Sequence, residues 1–373
     1  MKVALVQDYI KEYGGAEKVL ETLHEIYPQS DVYTLVYLPR FLGPHMERFK
    51  DWKIKSLIPS WIPLQAKMIS MLRFVDHLFF QRLDLSSYDL VIVSMAGSYS
   101  GVNLFKKGKN TLHVCYCHTP PRYLYGYATA NKWTKGIIRK FLLILGRIPM
   151  HFIRLRDYLD AQRPDVFIAN SQEIASRIQK FYRRIAVVVH PPIDVPKVDK
   201  PIPQNERKFY LTGGRLARAK RFDLAVEVCT KLNLPLKVFG RDFAGYEKEL
   251  RSLAGKSVEF LGEVTQEEKW NLIKKAKAYI SPSLQEDFGM LNLEVNGVGT
   301  GVIAYKSGGV TETLVDGETG VFFNESTVDS LAKAIERYER LKIKPEDCIA
   351  RAQMFEKQVF MKKIKEIVSK NIK

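Results

Sequence analysis

Short runs of β-branched and aliphatic residues alternate along this chain with segments whose apolar residues recur at helical spacing. This alternation is typical of parallel α/β layers, in which a helix follows each strand and returns the chain to the same edge of the sheet. In the first half, the runs predict strands at Val3–Val6, Val32–Leu35, Leu90–Ser94, Thr111–Tyr116, Val166–Ala169 and Ala186–His190. In the second half, they predict strands at Lys208–Thr212, Leu236–Phe239, Val258–Leu261, Ala278–Ser281, Val302–Tyr305 and Gly320–Phe323.

A proline-rich segment separates the two series of predicted strands. Residues 191–203 read PPIDVPKVDKPIP, and a helix or a central strand rejects such a run because proline lacks the backbone N–H. We therefore predict two Rossmann-like domains that face a cleft. Their bounds are 1–190 and 207–352, with a linker at 191–206 and a long basic helix at 353–373. Ligands of such sheets bind beyond the carboxyl ends of the strands.

The net charge of +17 is unevenly distributed along the 373 residues. Residues 1–190 hold 27 Lys and Arg against 15 Asp and Glu, and no acidic residue lies between Asp89 and Asp157. Residues 106–156 combine this positive charge with aromatic and aliphatic residues, which favours binding to an anionic membrane surface. Nucleic-acid binding and an ordinary solvated face are the alternatives. We expect no nucleic-acid partner.

The cysteines and the apolar runs point to a protein without disulfides, metal or membrane span. Cys115, Cys117, Cys229 and Cys348 follow no disulfide or zinc spacing, and a reducing cytoplasmic compartment is the expectation. Cys117 and His118 are adjacent in a predicted strand and so point to opposite faces, which argues against a shared ion. No apolar run is long enough to cross a bilayer, and no signal peptide is expected.

The segment Ser281–Glu294, SPSLQEDFGMLNLE, contains the D-F-G triplet that protein kinases use to hold magnesium. The chain has neither G-x-G-x-x-G nor H-R-D, so the kinase interpretation fails. The segment instead runs from a predicted strand into a helix that begins near Gly289. Free N–H groups of a first helical turn form an anion site, and Glu286 and Glu294 would lie on either side of a bound diphosphate. A loop acid and a solvated helix acid are the alternative.

A second candidate segment runs from Thr212 to Asp223, TGGRLARAKRFD. A strand ends, two glycines turn the chain, and Arg215 and Lys220 precede the next helix. Fixed cations at this place could neutralise a diphosphate when it is bound and when it leaves. The chain has no Asp-x-Asp, the usual carboxylate pair for a nucleotide-bound metal, so we expect no metal. A basic helix start with solvated side chains is the alternative.

Two segments of the first domain also follow predicted strands. Gly14-Gly15 precedes a helix, although such a pair is more often only a turn. The segment Cys117–Tyr123, CHTPPRY, places His118 at a strand end, and its two prolines stiffen the loop. A structural histidine and a catalytic one remain equally plausible there.

Taken together, these motifs resemble those of the family 4 glycosyltransferases, retaining enzymes of the GT-B fold. The resemblance runs in order over essentially the whole chain. Its motifs are GGAE (14–17), CHTPPRYLYG (117–126), ANSQ (169–172), GRLARAKRFDLAVE (214–227), VEFLGEV (258–264), SPSLQEDFGMLNLE (281–294) and GVIAYKSGGVTETLVDGETG (301–320). In such enzymes the second domain binds a nucleotide sugar, the first binds the acceptor, and the C-terminal helix packs back towards the first domain.

The resemblance implies a role for each matching residue. His118, Glu286, Arg215 and Lys220 are the implied catalytic residues, with Glu286 and His118 at the transferred sugar and Glu294 at the ribose. The implied donor-binding residues are Gly14, Gly15, Arg215, Lys220, Val264, Glu286, Phe288, Gly289, Met290, Leu291 and Glu294. Arg122 and Tyr123 are implied on the acceptor side. Transfer is expected by front-face attack, with the departing phosphate helping to deprotonate the acceptor.

The helix after Glu286 departs from the family pattern. Asn292 stands where a proline is usual, Val295–Val298 replaces small residues, and Gly299-Thr300-Gly301 replaces a Gly-Thr-Pro turn. Gly297 inside the helix weakens it by roughly 1 kcal/mol relative to alanine. These departures put the rigidity of the helix and the donor affinity in question.

The sequence thus predicts a peripheral enzyme on the cytoplasmic face of a membrane. It would transfer a hexose, with mannose from GDP-mannose as the leading candidate, to a lipid-linked or polysaccharide acceptor. A sugar-nucleotide epimerase of the same fold is one alternative. A non-catalytic basic module is the other, either an inactive glycosyltransferase-like partner or a nucleic-acid binder.

Overall fold

The computed structural model describes residues 1–59, 61–62, 65–127 and 137–372, with the helical backbone alone at 65–67 and 137–147. These residues divide into two compact units. The N-terminal unit holds the described residues of 1–127, 134–192 and 357–373, and the C-terminal unit holds 193–356.

The described N-terminal unit contains a parallel sheet of seven strands in the order β3-β2-β1-β4-β5-β6-β7. The strands are β1 Val3–Ile10, β2 Asp31–Tyr37, β3 Lys53–Ser56, β4 Leu90–Met95, β5 Leu112–Cys117, β6 Val166–Ala169 and β7 Ala186–Val188. The central strands are buried on both faces, which explains their nearly continuous apolar sequences.

Helices cover the sheet of the N-terminal unit. They are α1 Gly15–Ile26, α2 Gln65–Leu72, α3 Asp76–Phe80, α4 Ile137–Asp160, α5 Gln172–Tyr182 and, from the end of the chain, α13 Lys357–Asn371. Helix α13 buries Phe360, Ile364 and Val368 in the same apolar cluster as the α1 residues Val19 and Leu20. The predicted return of the C-terminal helix to the first domain is therefore confirmed.

The C-terminal unit contains a six-stranded parallel sheet in the order β10-β9-β8-β11-β12-β13. The strands are β8 Phe209–Gly213, β9 Leu236–Phe239, β10 Val258–Gly262, β11 Ala276–Ser281, β12 Gly301–Tyr305 and β13 Gly320–Phe323. The helices are α6 Phe222–Lys231, α7 Tyr246–Leu253, α8 Gln266–Lys275, α9 Met290–Gly297, α10 Val310–Thr313, α11 Val328–Arg340 and α12 Pro345–Gln353. The two-domain Rossmann-like prediction is thus confirmed.

Two details differ from the sequence prediction. The sequence analysis missed β3, whose residues read KIKS, because an edge strand with two lysines lacks an apolar run. The predicted helix 353–373 is wrong at its start, since α12 ends at Gln353 and α13 begins at Lys357. Between them, Glu356 pairs with Ile193 in an isolated bridge, which occupies the backbone and interrupts the helix.

In the part of the chain that the structure describes, no helix combines the length and the apolar character that a membrane span requires.

Candidate functional site

Three segments of the C-terminal unit meet beyond the carboxyl ends of the neighbouring strands β8 and β11. One follows β8, one follows β11, and the third is the first turn of α9. The N–H of Leu284 donates to the carbonyl of Ala219 at 3.1 Å, which joins the first two segments. A Cβ built on Gly214 would lie 3.8 Å from Leu291 Cδ2, so the first segment also lies against α9.

The turn after β8 requires glycine. A Cβ built on Gly213 would lie 2.2 Å from the carbonyl oxygen of Phe239, closer than any side chain tolerates. The hydroxyl of Tyr279 donates to the carbonyl of Gly213 at 2.7 Å and ties the turn to β11. This close packing fixes where the cationic residues after the turn emerge.

The structure separates three of the four cations that follow this turn; the fourth, Arg221, forms an ion pair with Asp223. Arg215 is exposed, with its guanidinium carbon 5.3 Å from the ring centroid of Phe243. Arg218 forms an ion pair with Glu249. Lys220 turns the other way and forms an ion pair with Glu286, at 2.6 Å from Nζ to Oε2.

The Lys220–Glu286 pair joins two residues that the sequence analysis placed in one site. Both side chains are partly buried, at 32% and 19% exposure. The backbone carbonyl of Glu286 accepts from the N–H of Gly309 at 2.8 Å, which holds the loop that carries the acid. An ammonium has three N–H donors, so Lys220 retains donor capacity for a further anion while it contacts Glu286.

Helix α9 begins beside this ion pair. Gly289 is its N-cap residue and adopts a left-handed conformation (φ 90°, ψ 47°) that favours glycine. The preceding Phe288 is buried, and its ring centroid lies 5.7 Å from that of Phe355, which anchors the loop. The first-turn N–H groups, including those of Met290 and Leu291, have no acceptor within the helix, and together with the helix dipole they favour a negatively charged ligand. Their predicted contact with a diphosphate stays a prediction.

Glu294 is one turn further along α9 and is buried. Its Oε2 lies 2.5 Å from Nζ of Lys269 in α8, and the two side chains are 3% and 15% exposed. The alternative of a solvated helix acid is therefore wrong for this residue. Burial raises the pKa of Tyr279, and the charges of Glu286 and Glu294 raise it further, so both acids lie near the end of the same strand.

Val264 is half-buried immediately before α8. It packs in the same apolar cluster as Trp270 and Leu291, on the α8 side of the first turn of α9. Its predicted contact with a nucleotide base stays a prediction. Lys269 and Trp270 escaped the sequence analysis because no motif marks them.

In the N-terminal unit, His118 follows β5 and lies near a buried polar row. Its Nε2 is 3.0 Å from the Oγ of Ser94, and its ring centroid is 5.0 Å from that of Tyr116. Burial lowers the pKa of His118 to about 3, so the ring is neutral near pH 7. Gln7, opposite Ser94 in the sheet, is fully buried, and neither of its amide atoms has a hydrogen-bond partner within the described residues.

Gly14 and Gly15 form the start of α1. The N–H of Gly14 donates to Oε2 of Glu17 at 2.9 Å, which is half of a capping box. This local role matches the alternative of a simple helix-start turn. The predicted closure of Gly15 on a diphosphate stays a prediction.

The loop that carries Arg122 and Tyr123 is a turn whose carbonyl at Arg122 accepts from the N–H of Tyr125 at 3.3 Å. The guanidinium of Arg73 lies 4.7 Å from the ring centroid of Tyr123. The hydroxyl of Tyr125 donates to Asp157 at 2.6 Å. The predicted acceptor-side role of Arg122 and Tyr123 stays a prediction.

Buried acids near this loop were missed by the sequence analysis. Burial raises the pKa of Asp8, Asp157 and Asp160 to about 7 and that of Asp76 to about 6. The carboxylate of Asp8 accepts three backbone hydrogen bonds, from the N–H groups of Ala96, Ser98 and Tyr99. The position of Asp8, shortly after the apolar run of β1, was the sequence signal that could have identified this buried acid.

The basic stretch 106–156 is described only in part. Lys107 forms an ion pair with Asp165 at 2.6 Å, near the start of β5, whereas Arg154 and Arg156 belong to α4. Of its other members, Lys132, Trp133 and Lys135 lie outside the described residues, as do the side chains of Arg139, Lys140 and Arg147.

Comparison with known proteins matches both units to glycosyltransferases. Residues 13–197 match the family model described as "Glycosyltransferase Family 4", and residues 195–355 match the one described as "Glycosyl transferases group 1". With its two Rossmann-like units, the chain has the architecture of GT-B glycosyltransferases, enzymes that transfer sugar. It belongs to the family 4 glycosyltransferases.

Curated relatives are similar over parts of the chain. The Alpha-1,3/1,6-mannosyltransferase ALG2 of Dictyostelium discoideum is 26% identical over 289 residues, 65% of each chain. The lipopolysaccharide core biosynthesis mannosyltransferase LpcC of Rhizobium leguminosarum bv. viciae is 37% identical over 79 residues, 21% of this chain and 22% of that one. The chain thus spans less than two thirds of the length of each of these two relatives.

Solved structures share the fold at low identity. The lipopolysaccharide outer core galactosyltransferase WaaB aligns over 99% of this chain and 100% of its own, with a TM-score of 0.65 and 17% identity. Anabaena Alr3699/HepE in complex with UDP covers the same shares, with a TM-score of 0.69 and 17% identity. These likenesses confirm the fold.

Proposed function

We propose that the protein is a retaining, metal-independent glycosyltransferase that moves a hexose from a nucleotide sugar to a lipid-linked or polysaccharide acceptor. GDP-mannose is the proposed donor, since similar proteins from Dictyostelium and Rhizobium are named as mannosyltransferases. The observation that carries the proposal is the Lys220–Glu286 pair at the start of α9. A nucleotide diphosphate fits this combination of cation, backbone N–H groups and carboxylate.

The diphosphate is the part of the donor that the C-terminal unit binds through charge. Lys220 and Arg215 neutralise it, and the N–H groups of Phe288, Gly289, Met290 and Leu291 donate to its oxygens. Charge-assisted hydrogen bonds of this kind are about twice as strong as neutral ones. The positive charge of the Lys220 and Arg215 side chains stabilises the diphosphate as it departs.

The two carboxylates bind hydroxyl groups of the donor. Glu286 is held by Lys220 beside the helix start and accepts from the transferred sugar. Glu294 is held by Lys269 and accepts from the ribose. A carboxylate offers about four acceptor positions, so one ammonium contact leaves capacity for a hydroxyl.

The transfer step breaks the bond between the sugar C1 and the phosphate oxygen. It forms a bond between C1 and an acceptor hydroxyl oxygen on the same face, and the hydroxyl proton passes to the departing phosphate. No enzyme base is required in this step. The roles of Gly15 and His118 at the donor, and of Arg122 and Tyr123 at the acceptor, are retained from the family resemblance.

The acceptor class and the location are part of the same proposal. A lipid-linked acceptor places the enzyme at the cytoplasmic face of a membrane, and the positive charge of residues 1–190 suits anionic lipids. The described cysteines are free thiols, which is consistent with a reducing compartment. Polysaccharide biosynthesis is the proposed process.

Thermal shift with a set of nucleotide sugars tests the donor site. GDP-mannose, UDP-glucose and ADP-glucose are added to the protein in the presence of a chelator. A donor at 100 times its Kd should stabilise the native state by about 2.7 kcal/mol. We expect a shift with one nucleotide class, and Arg215→Ala and Glu286→Gln should reduce it. The absence of a shift with every nucleotide sugar would contradict the proposal.

A transfer assay tests the stereochemistry. The donor is incubated with an isolated lipid fraction, and the anomeric configuration of the product is determined by proton NMR. Retention is expected. Inversion, or a strict requirement for a divalent metal, would refute the proposed mechanism.

A further inference from the structure

Helix α4 presents a continuous apolar stripe to solvent. Ile148, Phe152, Leu155 and Leu159 are 64%, 64%, 51% and 57% exposed. Their spacing of four, three and four residues places them on one face over about 17 Å of helix. Single exposed apolar residues need no explanation, but a stripe of this length marks an interaction site.

The neighbouring segment around α2 and α3 adds further exposed apolar side chains. Trp61, Met71, Phe74 and Leu78 are 79%, 65%, 52% and 41% exposed. Helices α3 and α4 both contact the short turn Gly101–Asn103, so they lie close together in the N-terminal unit. We call these exposed residues of 61–78 and 148–159 together the α4 surface.

The exposed charge of these helices is positive. The acids of α2, α3 and α4 are Asp76, Asp157 and Asp160, and all three are buried. Arg154, by contrast, is exposed between Phe152 and Leu155. The α4 surface therefore combines apolar side chains with positive charge and presents no acidic side chain of these helices.

We propose that the α4 surface binds the interface of an anionic lipid bilayer. The apolar side chains insert at the boundary between headgroups and acyl chains, and Arg154 pairs with lipid phosphates. A bilayer is favoured over a protein partner because the apolar residues form a band on helices whose outward charge is only positive. This inference deepens the membrane association within the proposed function. It narrows the predicted stretch 106–156 to its α4 part and adds the exposed residues around α2 and α3.

Vesicle co-sedimentation tests the α4 surface with the full-length protein. Vesicles of phosphatidylcholine alone are compared with vesicles of phosphatidylcholine and phosphatidylglycerol in equal parts. The double variant Phe152→Ser/Leu155→Ser should lower partitioning onto anionic vesicles by about tenfold or more. Arg154→Gln should lower it by about fivefold on anionic vesicles and leave neutral vesicles unaffected. Leu232→Ser, at an exposed apolar residue of the C-terminal unit, is the matched control.

The outcomes separate the possible occupants of the surface. Partitioning that falls in the double variant but not in the Leu232→Ser variant supports the bilayer. Unchanged partitioning in the double variant, or no partitioning of the wild type, overturns it. A concentration-dependent dimer that the double variant abolishes, measured by sedimentation velocity without vesicles, would overturn it in favour of a second copy. Binding of GDP-mannose to each variant is measured separately, so a failure of the donor proposal remains distinguishable.

A second, independent observation concerns Asn292 in the first turn of α9. The residue is 2% exposed, and its Nδ2 has no hydrogen-bond partner among the groups that the structure describes. A Cβ built on Gly289 would lie 3.0 Å from this Nδ2 and 3.5 Å from Cγ of Glu286. An unsatisfied buried donor therefore lies at the start of α9, next to the acid proposed to bind the transferred sugar.

We infer that Nδ2 of Asn292 donates a hydrogen bond to an oxygen of the donor, on the transferred sugar rather than on the diphosphate. A buried N–H₂ group without an acceptor destabilises the free protein, and a ligand oxygen would satisfy it. This residue occupies the position where the family pattern has proline, so the contact would be particular to this chain. The inference rests on the proposed donor function.

Calorimetric titration with GDP and with GDP-mannose tests Asn292. Asn292→Leu keeps the branched shape of the side chain and removes the N–H donor. It should weaken GDP-mannose binding about tenfold, leave GDP binding unchanged, and raise the melting temperature of the ligand-free protein. Equal affinity of wild type and variant for GDP-mannose overturns the role of Asn292, as does an equal loss for GDP. The role of Asn292 is also overturned if the wild type binds GDP-mannose no more tightly than GDP. If the wild type binds neither ligand, the donor proposal itself is refuted.

Discussion

Removal of the Glu294 carboxylate should destabilise the C-terminal unit even when no donor is present. Oε2 of Glu294 lies 2.5 Å from Nζ of Lys269, and the two side chains are 3% and 15% exposed. Truncation of one partner of a buried ion pair costs about 3–5 kcal/mol, because it leaves the other charge uncompensated. The slight exposure of Lys269 lets its ammonium reach water, so we expect Glu294→Ala to cost about 3 kcal/mol.

The melting temperature of each variant measures this loss of stability. For a unit of this size, 1 kcal/mol corresponds to about 2–4 °C, so Glu294→Ala should lower it by about 6–12 °C. Lys269→Ala should have a similar effect, and the double variant should cost less than the sum of the two. Replacement of both residues by methionine should recover much of the loss, since an apolar pair avoids the desolvation of two charges.

The refuting result is equally definite. If Glu294→Ala unfolds within about 0.5 kcal/mol of the wild type in urea, the ordinary range for surface substitutions, the carboxylate is not a buried ion-pair partner. The result also decides how donor binding is interpreted. If Glu294→Ala loses donor binding, the cause could be either its lower stability or the lost ribose contact. The double methionine variant separates these causes, because it restores stability without restoring the carboxylate.

Three further predictions concern the same two units. Lys220→Ala should raise the Kd for GDP about 10–100-fold by calorimetry, whereas Arg218→Ala, whose charge is paired with Glu249, should leave it unchanged. Gly289→Ala should lower the free energy of unfolding by roughly 1–2 kcal/mol in urea, because alanine is strained at φ 90°. The lowered pKa of His118, about 3 against an ordinary 6.5, contributes stability above pH 6.5 that is lost as the pH falls towards 3, so His118→Asn should flatten this loss in acid denaturation.

Each of these has a result that would contradict it. Equal effects of Lys220→Ala and Arg218→Ala on the Kd would indicate only a general loss of positive charge. An unchanged urea midpoint in Gly289→Ala would argue against the left-handed N-cap. An unaltered pH dependence in His118→Asn would show that His118 titrates normally.

The parts of the fold that the sequence predicted are those in which local signals agree. Apolar β-branched runs gave the central strands because both faces of a parallel sheet are buried. The start of α9 was predicted near Gly289, and the structure explains the glycine there by its left-handed N-cap conformation. Lys220 and Glu286 were assigned to one site from the family resemblance, and the structure brings their side chains together.

The missed features depend on contacts between distant residues. Lys269 lies 25 residues from Glu294, and nothing in its own helix shows that it is nearly buried against an acid. The apolar residues of α4 have helical spacing that is visible in the sequence, but spacing alone does not tell whether the stripe faces the sheet or the solvent. The buried Asp157 and Asp160 could not be told from surface acids for the same reason.

A crystal structure of the protein with an intact nucleotide sugar, grown in the presence of a chelator, tests the central claim most directly. We predict that the diphosphate lies within about 3 Å of Lys220 Nζ and of the backbone nitrogen of Met290, with a sugar hydroxyl on Glu286. A nucleotide sugar bound elsewhere on the C-terminal unit, with Lys220 and the start of α9 untouched, would contradict the account.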